Sequence, residues 1–126
     1  MIVVETYLKE SPGKGIGLFS KKLIKKGTVM WEYNPIVDII INKKDIPKLM
    51  KKFYNTYAVE VDKNRIMLNT DNARFVNHSK NPNMKSFGRF DNNIAIKNIN
   101  SGEEITIDYE KIDGKINFRD SEKNKK

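Results

Sequence analysis

Arg74-Phe75-Val76-Asn77-His78-Ser79, continuing to Asn81-Pro82-Asn83, sets an apolar pair directly before three side chains rich in hydrogen-bond donors and acceptors. Two readings of this stretch are open. It is either a satisfied turn leading into a hairpin, with His78 hydrogen-bonded in the core, or a place where polar groups are held out for a ligand. For a lone histidine the first reading is the commoner one.

Upstream of it the chain reads as short strands and one helix. Ile2–Tyr7 is a β-prone run that ends at the turn signal Ser11-Pro12-Gly13, and Thr28–Tyr33 and Ile36–Ile41 are two more, parted by Asn34-Pro35. A helix is predicted where Asp45 can cap, Pro47 suits the first turn, and Ile46, Leu49, Met50 and Phe53 recur at helical spacing. Lys48, Lys51 and Lys52 then face solvent. Tyr57, Val59 and Val61 alternate with smaller or charged residues, and Asp62-Lys63-Asn64 turns into Arg65–Leu68. Downstream, Met84–Phe90 and Ile94–Asn98 form a hairpin about Asp91-Asn92-Asn93. Ile105 and Ile107 alternate in a last strand after Asn100-Ser101-Gly102. The pattern is a mostly β, α+β domain of many short strands with one short helix.

Two further segments resist a purely structural reading. Gly13-Lys14-Gly15-Ile16-Gly17 places glycines at alternate positions, which lets backbone approach a ligand closely. It is not a phosphate loop, because Gly15 follows Lys14 where Ser or Thr is needed, nor a dinucleotide fingerprint, since Ser20 replaces the last glycine. Taken alone it is a tight turn. Gly102-Glu103-Glu104-Ile105-Thr106-Ile107-Asp108-Tyr109 ends a strand on a tyrosine, a residue usually found in a core or interface.

Composition narrows the chemistry. The chain has 126 residues, 38% hydrophobic and 32% charged, enough for one domain spanning 1–126 with one core. The short polar end Ser121–Lys126 is expected to be disordered. The densest apolar stretch, Ile36–Ile41, contains Asp38 and is far shorter than the roughly 20 residues of a bilayer span. Glu5 interrupts the first apolar residues, so no secretory signal is read. With no cysteine there is no disulfide, thiol nucleophile or cysteine-based metal site, and one histidine excludes a histidine-rich one. This fits an intracellular protein and predicts no metal. Net charge is +8, but 20 of the 24 basic residues are lysine and only Arg65, Arg74, Arg89 and Arg119 are arginine. Nucleic acid is therefore expected only as a non-specific, charge-driven partner.

Singly, the three segments are ambiguous; their order and spacing together are not. Gly15-Ile16-Gly17, then Arg74 through Ser79 with Pro82-Asn83, then Gly102 through Tyr109, resemble the SET-domain protein-lysine methyltransferases across about residues 11–110. Lys26-Gly27 before a strand, Glu32-Tyr33 at its end, and Tyr57 opening the strand after the helix support the match. The compact build is similar to free-standing viral and bacterial SET proteins without zinc-binding flanks.

The resemblance implies a SET fold of small sheets with a C-terminal pseudo-knot, rare in general. It also implies S-adenosylmethionine as cofactor, S-adenosylhomocysteine as product, and a protein lysine as substrate. Carried over by position, Lys14, Gly15, Ile16 and Gly17 contact the cofactor's methionine part, and Asn77 and His78 hold it further. Tyr109 and Tyr57 are the expected catalytic residues, Tyr109 matching the catalytic tyrosine and Tyr57 a tyrosine of the same channel, which Ile107 and Phe87 also line. A free lysine has a pKa of about 10.4, so roughly one in a thousand is neutral at pH 7. Raising that fraction costs about 4 kcal/mol, which desolvation beside a sulfonium can offset without a dedicated base.

Departures bear on specificity. Without cysteine clusters the channel must be closed by the tail, residues 111–126, where Ile112, Ile116 and Phe118 are the candidates and Phe118 is assigned to the adenine or channel mouth. Ile107 stands where some relatives carry the aromatic residue that limits methyl number. The insert, about residues 43–68, is short, which favours loose specificity or a homodimer. Two alternatives remain: a catalytically silent SET-like module binding chromatin or nucleic acid, and an enzyme for a non-histone protein. A histone-directed enzyme belongs in the nucleus, any other in the cytoplasm.

Overall fold

The structure, a computed structural model, describes residues 1–111. Strands are numbered along the chain. β1 (Thr6–Ser11) and β2 (Gly15–Ser20) form an antiparallel hairpin. Its turn is closed by Lys14 N–H on the Ser11 carbonyl at 2.9 Å, with Gly13 and Gly15 at φ 78° and 80°, which a side chain would strain. A second sheet holds β3 (Val29–Trp31), β7 (Asn77–His78), β8 (Met84–Ser86), β9 (Asn93–Ala95) and β10 (Thr106–Ile107), in the order β3-β9-β8-β10-β7. A third holds β4 (Asp38–Asn42), β5 (Val59–Glu60) and β6 (Arg65–Asn69), in the order β4-β6-β5. The α-helix α1 (Lys51–Tyr57) precedes β5.

The expected threading is present. β10 lies between β7 and β8 and runs parallel to both, so the chain linking those two strands passes around it. Buried Asn83 fastens the crossing: its Nδ2 donates to the Glu104 carbonyl at 2.8 Å, and its Oδ1 accepts from Thr106 N–H at 2.9 Å. One amide thus satisfies a donor and an acceptor that a threaded strand would leave orphaned. Below the crossing, Leu18, Met30, Val76, Met84, Ile99, Ile105 and Ile107 form the main core. Each such side chain contributes about 1.5–3 kcal/mol by burial. Trp31, Val61, Met67 and Ala73 form a second cluster.

Several elements are shifted from the sequence reading. The first strand begins at Thr6 rather than Ile2, because Ile2 bridges to Trp31 and Val3 N–H bonds the Met30 carbonyl at 2.9 Å. The predicted helix starts late: Ile46 (ψ 120°) and Pro47 (ψ 142°) are extended, and only 3-10 turns at Lys43–Asp45 and Lys48–Met50 precede α1. A proline disfavours helical backbone in the residue before it, so Asp45 cannot cap across it. Leu49, expected on the apolar face, is 94% exposed as a result. Tyr57 closes the helix instead of opening the next strand. Both predicted hairpins are present, β5–β6 and β8–β9.

Candidate functional site

The β1–β2 hairpin meets the threaded strand through one carboxylate. Glu104 Oε1 accepts from Ser11 Oγ at 2.8 Å and Oε2 from Asn77 Nδ2 at 2.8 Å. Asn77 Nδ2 also donates to the Ile16 carbonyl at 3.2 Å. Three segments remote in sequence are thereby tied at one point. Gly17 is what allows the approach: a Cβ there would lie 2.5 Å from Glu104 Oε2 and 3.1 Å from Asn77 Nδ2. Its freedom from a side chain serves packing against protein, whereas Gly13 and Gly15 serve the turn.

Beside this clamp, Lys14 Nζ donates to the His78 carbonyl at 2.8 Å from an exposed position. Parallel pairing of β7 with β10 sets Asn77 against Thr106 and His78 against Ile107, which delivers Tyr109 to the histidine. Tyr109 N–H donates to His78 Nδ1 at 3.2 Å and the two rings stack with centroids 6.4 Å apart. The Asp108 carboxylate stands 3.7 Å from the same nitrogen and accepts Glu110 N–H at 3.0 Å, starting the 3-10 turn Tyr109–Lys111. The Tyr109 ring is buried, and its hydroxyl donates to the Val76 carbonyl at 2.5 Å.

Tyr109 also walls a cavity of about 60 Å³. Val59, Val76, Met84 and Ile107 make that wall apolar, while Trp31, Asn69 and Arg89 bring polar atoms. Among the described residues Trp31 Nε1 and Asn69 Oδ1 are buried without a hydrogen-bond partner. Glu60 lines it too, its carboxylate held by Lys43 Nζ at 2.6 Å.

The expected site residues thus fall into groups. Lys14, Gly15, Ile16, Gly17, Asn77 and His78 share one face, and Tyr109 reaches from that face to the cavity it shares with Ile107. Tyr57 stands outside the cavity lining, packed on Phe53 at 5.1 Å and Phe75 at 5.6 Å, with the Arg74 guanidinium 6.0 Å from its ring. Phe87 is 59% exposed on the β8–β9 hairpin, with Lys85 Nζ 5.2 Å from its ring. Phe118, Ile112 and Ile116 lie outside the described residues. Reading by position gave no role to Ser11, Glu104 or Asn83. No local signal marks them, since Ser11, Asn83 and Glu104 all stand in polar, turn-like sequence. Among the described residues no cluster of three His, Asp or Glu could hold a metal, and no helix is long and apolar enough to cross a membrane. The shifted carboxylates, Glu5 lowered by Lys22 and Asp62 lowered by Arg65, are salt-bridge partners at the surface, away from this site.

Known proteins are similar to this chain in sequence and fold. The profile of the SET domain matches residues 15–110. The variant-silencing SET domain-containing protein of Plasmodium falciparum is 28% identical over 127 residues, 85% of this chain and 5% of its own length. The histone-lysine N-methyltransferase SUV39H2 of Xenopus tropicalis is 29% identical over 117 residues, 78% of this chain and 28% of its own length. The chain therefore spans under a third of either curated relative. A crystal structure of a Plasmodium falciparum protein provisionally named a histone methyltransferase superposes with a TM-score of 0.63 at 28% identity, covering 86% of this chain and 95% of that one.

Proposed function

Because the chain belongs to the SET-domain family, we propose that it is an S-adenosylmethionine-dependent protein-lysine N-methyltransferase acting on histone tails, in line with its histone-methyltransferase relatives. The observation that carries the reading is the position of Tyr109, bonded through its backbone to His78 on one side and walling an apolar cavity on the other. A residue so placed can stand between a cofactor face and a lysine channel.

The exposed face fits the cofactor's amino-acid end. Asn77 offers its Oδ1 acceptor to an ammonium, Lys14 brings a cation for a carboxylate, and the exposed residues Gly15 and Ile16 flank them. The bound cofactor supplies an electrophilic sulfonium methyl and leaves as S-adenosylhomocysteine. The chain's own work is positioning and desolvation. Apolar Val59, Val76, Met84 and Ile107 disfavour a charged lysine and so lower its pKa. The Tyr109 hydroxyl gives its proton to Val76, so its oxygen meets an amine as an acceptor and aims the nitrogen lone pair. Alignment of this kind can contribute several kcal/mol. Tyr57 and Phe87 are assigned to the outer channel, residues 43–68 to substrate contact, and residues 111–126, with Phe118, to closing the site. Residues 1–126 are assigned to one domain working as a homodimer in the nucleus, with no metal.

Transfer of labelled methyl from S-adenosylmethionine to core histones and, in parallel, to a whole-cell extract tests this. Label on histones, lost in Tyr109→Phe, is expected. Label confined to an extract protein keeps the enzyme and changes its target. No label with bound cofactor points to a missing partner, and absence of cofactor binding refutes the reading in favour of a silent module.

A further inference from the structure

The Glu104 carboxylate is spent on two donors from different segments, Ser11 Oγ and Asn77 Nδ2, each at 2.8 Å. Asn77 Nδ2 carries two protons, and the Ile16 carbonyl takes the second. Both partners of that nitrogen are pure acceptors. A flipped amide would set its oxygen against a carboxylate and a carbonyl at once, so only one orientation is tolerated. The nitrogen is saturated, and the atom left to meet a ligand is Oδ1. Glu104 is itself held, because Ser11 Oγ donates to its other oxygen, and glycine at position 17 leaves Oε2 the space that a Cβ would fill.

We infer that Glu104 is a positioning residue that locks the Asn77 amide with its oxygen outward, making Asn77 selective for a hydrogen-bond donor such as an ammonium group. The inference rests on the cofactor reading above for the identity of that ammonium, but the locked orientation stands apart from it. Glu104 touches no ligand and acts through Asn77 alone. Gln can stand in for it: its one amide oxygen takes the place of Oε2 and accepts from Asn77, and its amide nitrogen donates to Ser11 Oγ.

A double-mutant cycle on affinity for S-adenosylhomocysteine, read by calorimetry, is the test. Glu104→Ala and Asn77→Ala are each expected to weaken binding about tenfold or more, the pair no further than Asn77→Ala alone, and Glu104→Gln to bind within a fewfold of wild type. Exchange of the Asn77 side-chain amide protons, read by nitrogen-15 NMR, should be slow in wild type and Glu104→Gln and fast in Glu104→Ala. Additive losses, equal weakening by Gln and Ala, or protected amide protons in Glu104→Ala would each overturn the assignment. If wild type binds no S-adenosylhomocysteine, the cofactor reading falls while the exchange experiment still decides whether Glu104 orders Asn77. Should Glu104→Ala not fold, Ser11→Ala takes its place under the same criteria.

Discussion

The Tyr109 hydroxyl donates to the Val76 carbonyl across 2.5 Å, and the same tyrosine's backbone N–H reaches His78, two residues further on. One residue of the last strand segment is thus held at both ends by the segment it threads beside. That double hold fixes the ring and spends the hydroxyl proton on Val76, so the oxygen keeps only its acceptor capacity.

Tyr109→Phe keeps the ring and removes the oxygen. Methyl transfer should fall at least tenfold while circular dichroism shows a folded protein. Thermal stability should drop modestly, because the Val76 carbonyl loses a partner at a cost of roughly 1–3 kcal/mol. Wild-type turnover in the variant would remove Tyr109 from the mechanism.

Gly17→Ala tests the clamp from the other side. Its methyl group would sit 2.5 Å from Glu104 Oε2 and force the carboxylate off Asn77. The expected cost is about 1–3 kcal/mol of overpacking, together with weaker cofactor binding. Melting and calorimetry on the same preparation read the two effects. A variant as stable and as tight as wild type would mean that Glu104 moves freely.

Trp31 is the single tryptophan; it lines the cavity, and its indole N–H is buried without a hydrogen-bond partner among the described residues. A lysine peptide entering the cavity should therefore shift Trp31 emission saturably. The shift should persist in Tyr109→Phe, since binding and transfer are separable there. Methylation of a peptide that leaves the emission untouched would place the lysine elsewhere.

The β5–β6 turn carries a pH dependence of known sign. The Arg65 guanidinium, 2.8 Å away, and the backbone N–H groups of Asn64 and Arg65 hold the Asp62 carboxyl below its ordinary range. A carboxylate depressed in the folded state stabilises above its unfolded pKa, and the contribution disappears as pH falls through the folded value. Exposure and salt should keep the effect small. Carbon NMR of Asp62 between pH 2 and about 6 should give a midpoint below that of a free aspartate (about 3.9) in wild type, moving up in Arg65→Ala; equal midpoints would dismiss the ion pair.

The sequence by itself determined the β-rich class, both hairpins and the three segments that meet at the site. Those features depend on local chemistry: alternation, turn residues and motif order over short distances. It misplaced the helix start, because periodicity at Leu49 and Met50 says nothing about the extended backbone that Pro47 imposes on Ile46. Tertiary structure alone decided which polar residues answer one another. Glu104 is remote in the chain from both Ser11 and Asn77, and only insertion of β10 between β7 and β8 turns three unremarkable side chains into one clamp. The same insertion gives Asn83 its two backbone partners and sets Tyr109 between His78 and a cavity. Hydrogen-bond complementarity across a threaded crossing is a property of strand order, and strand order has no local signature in the chain.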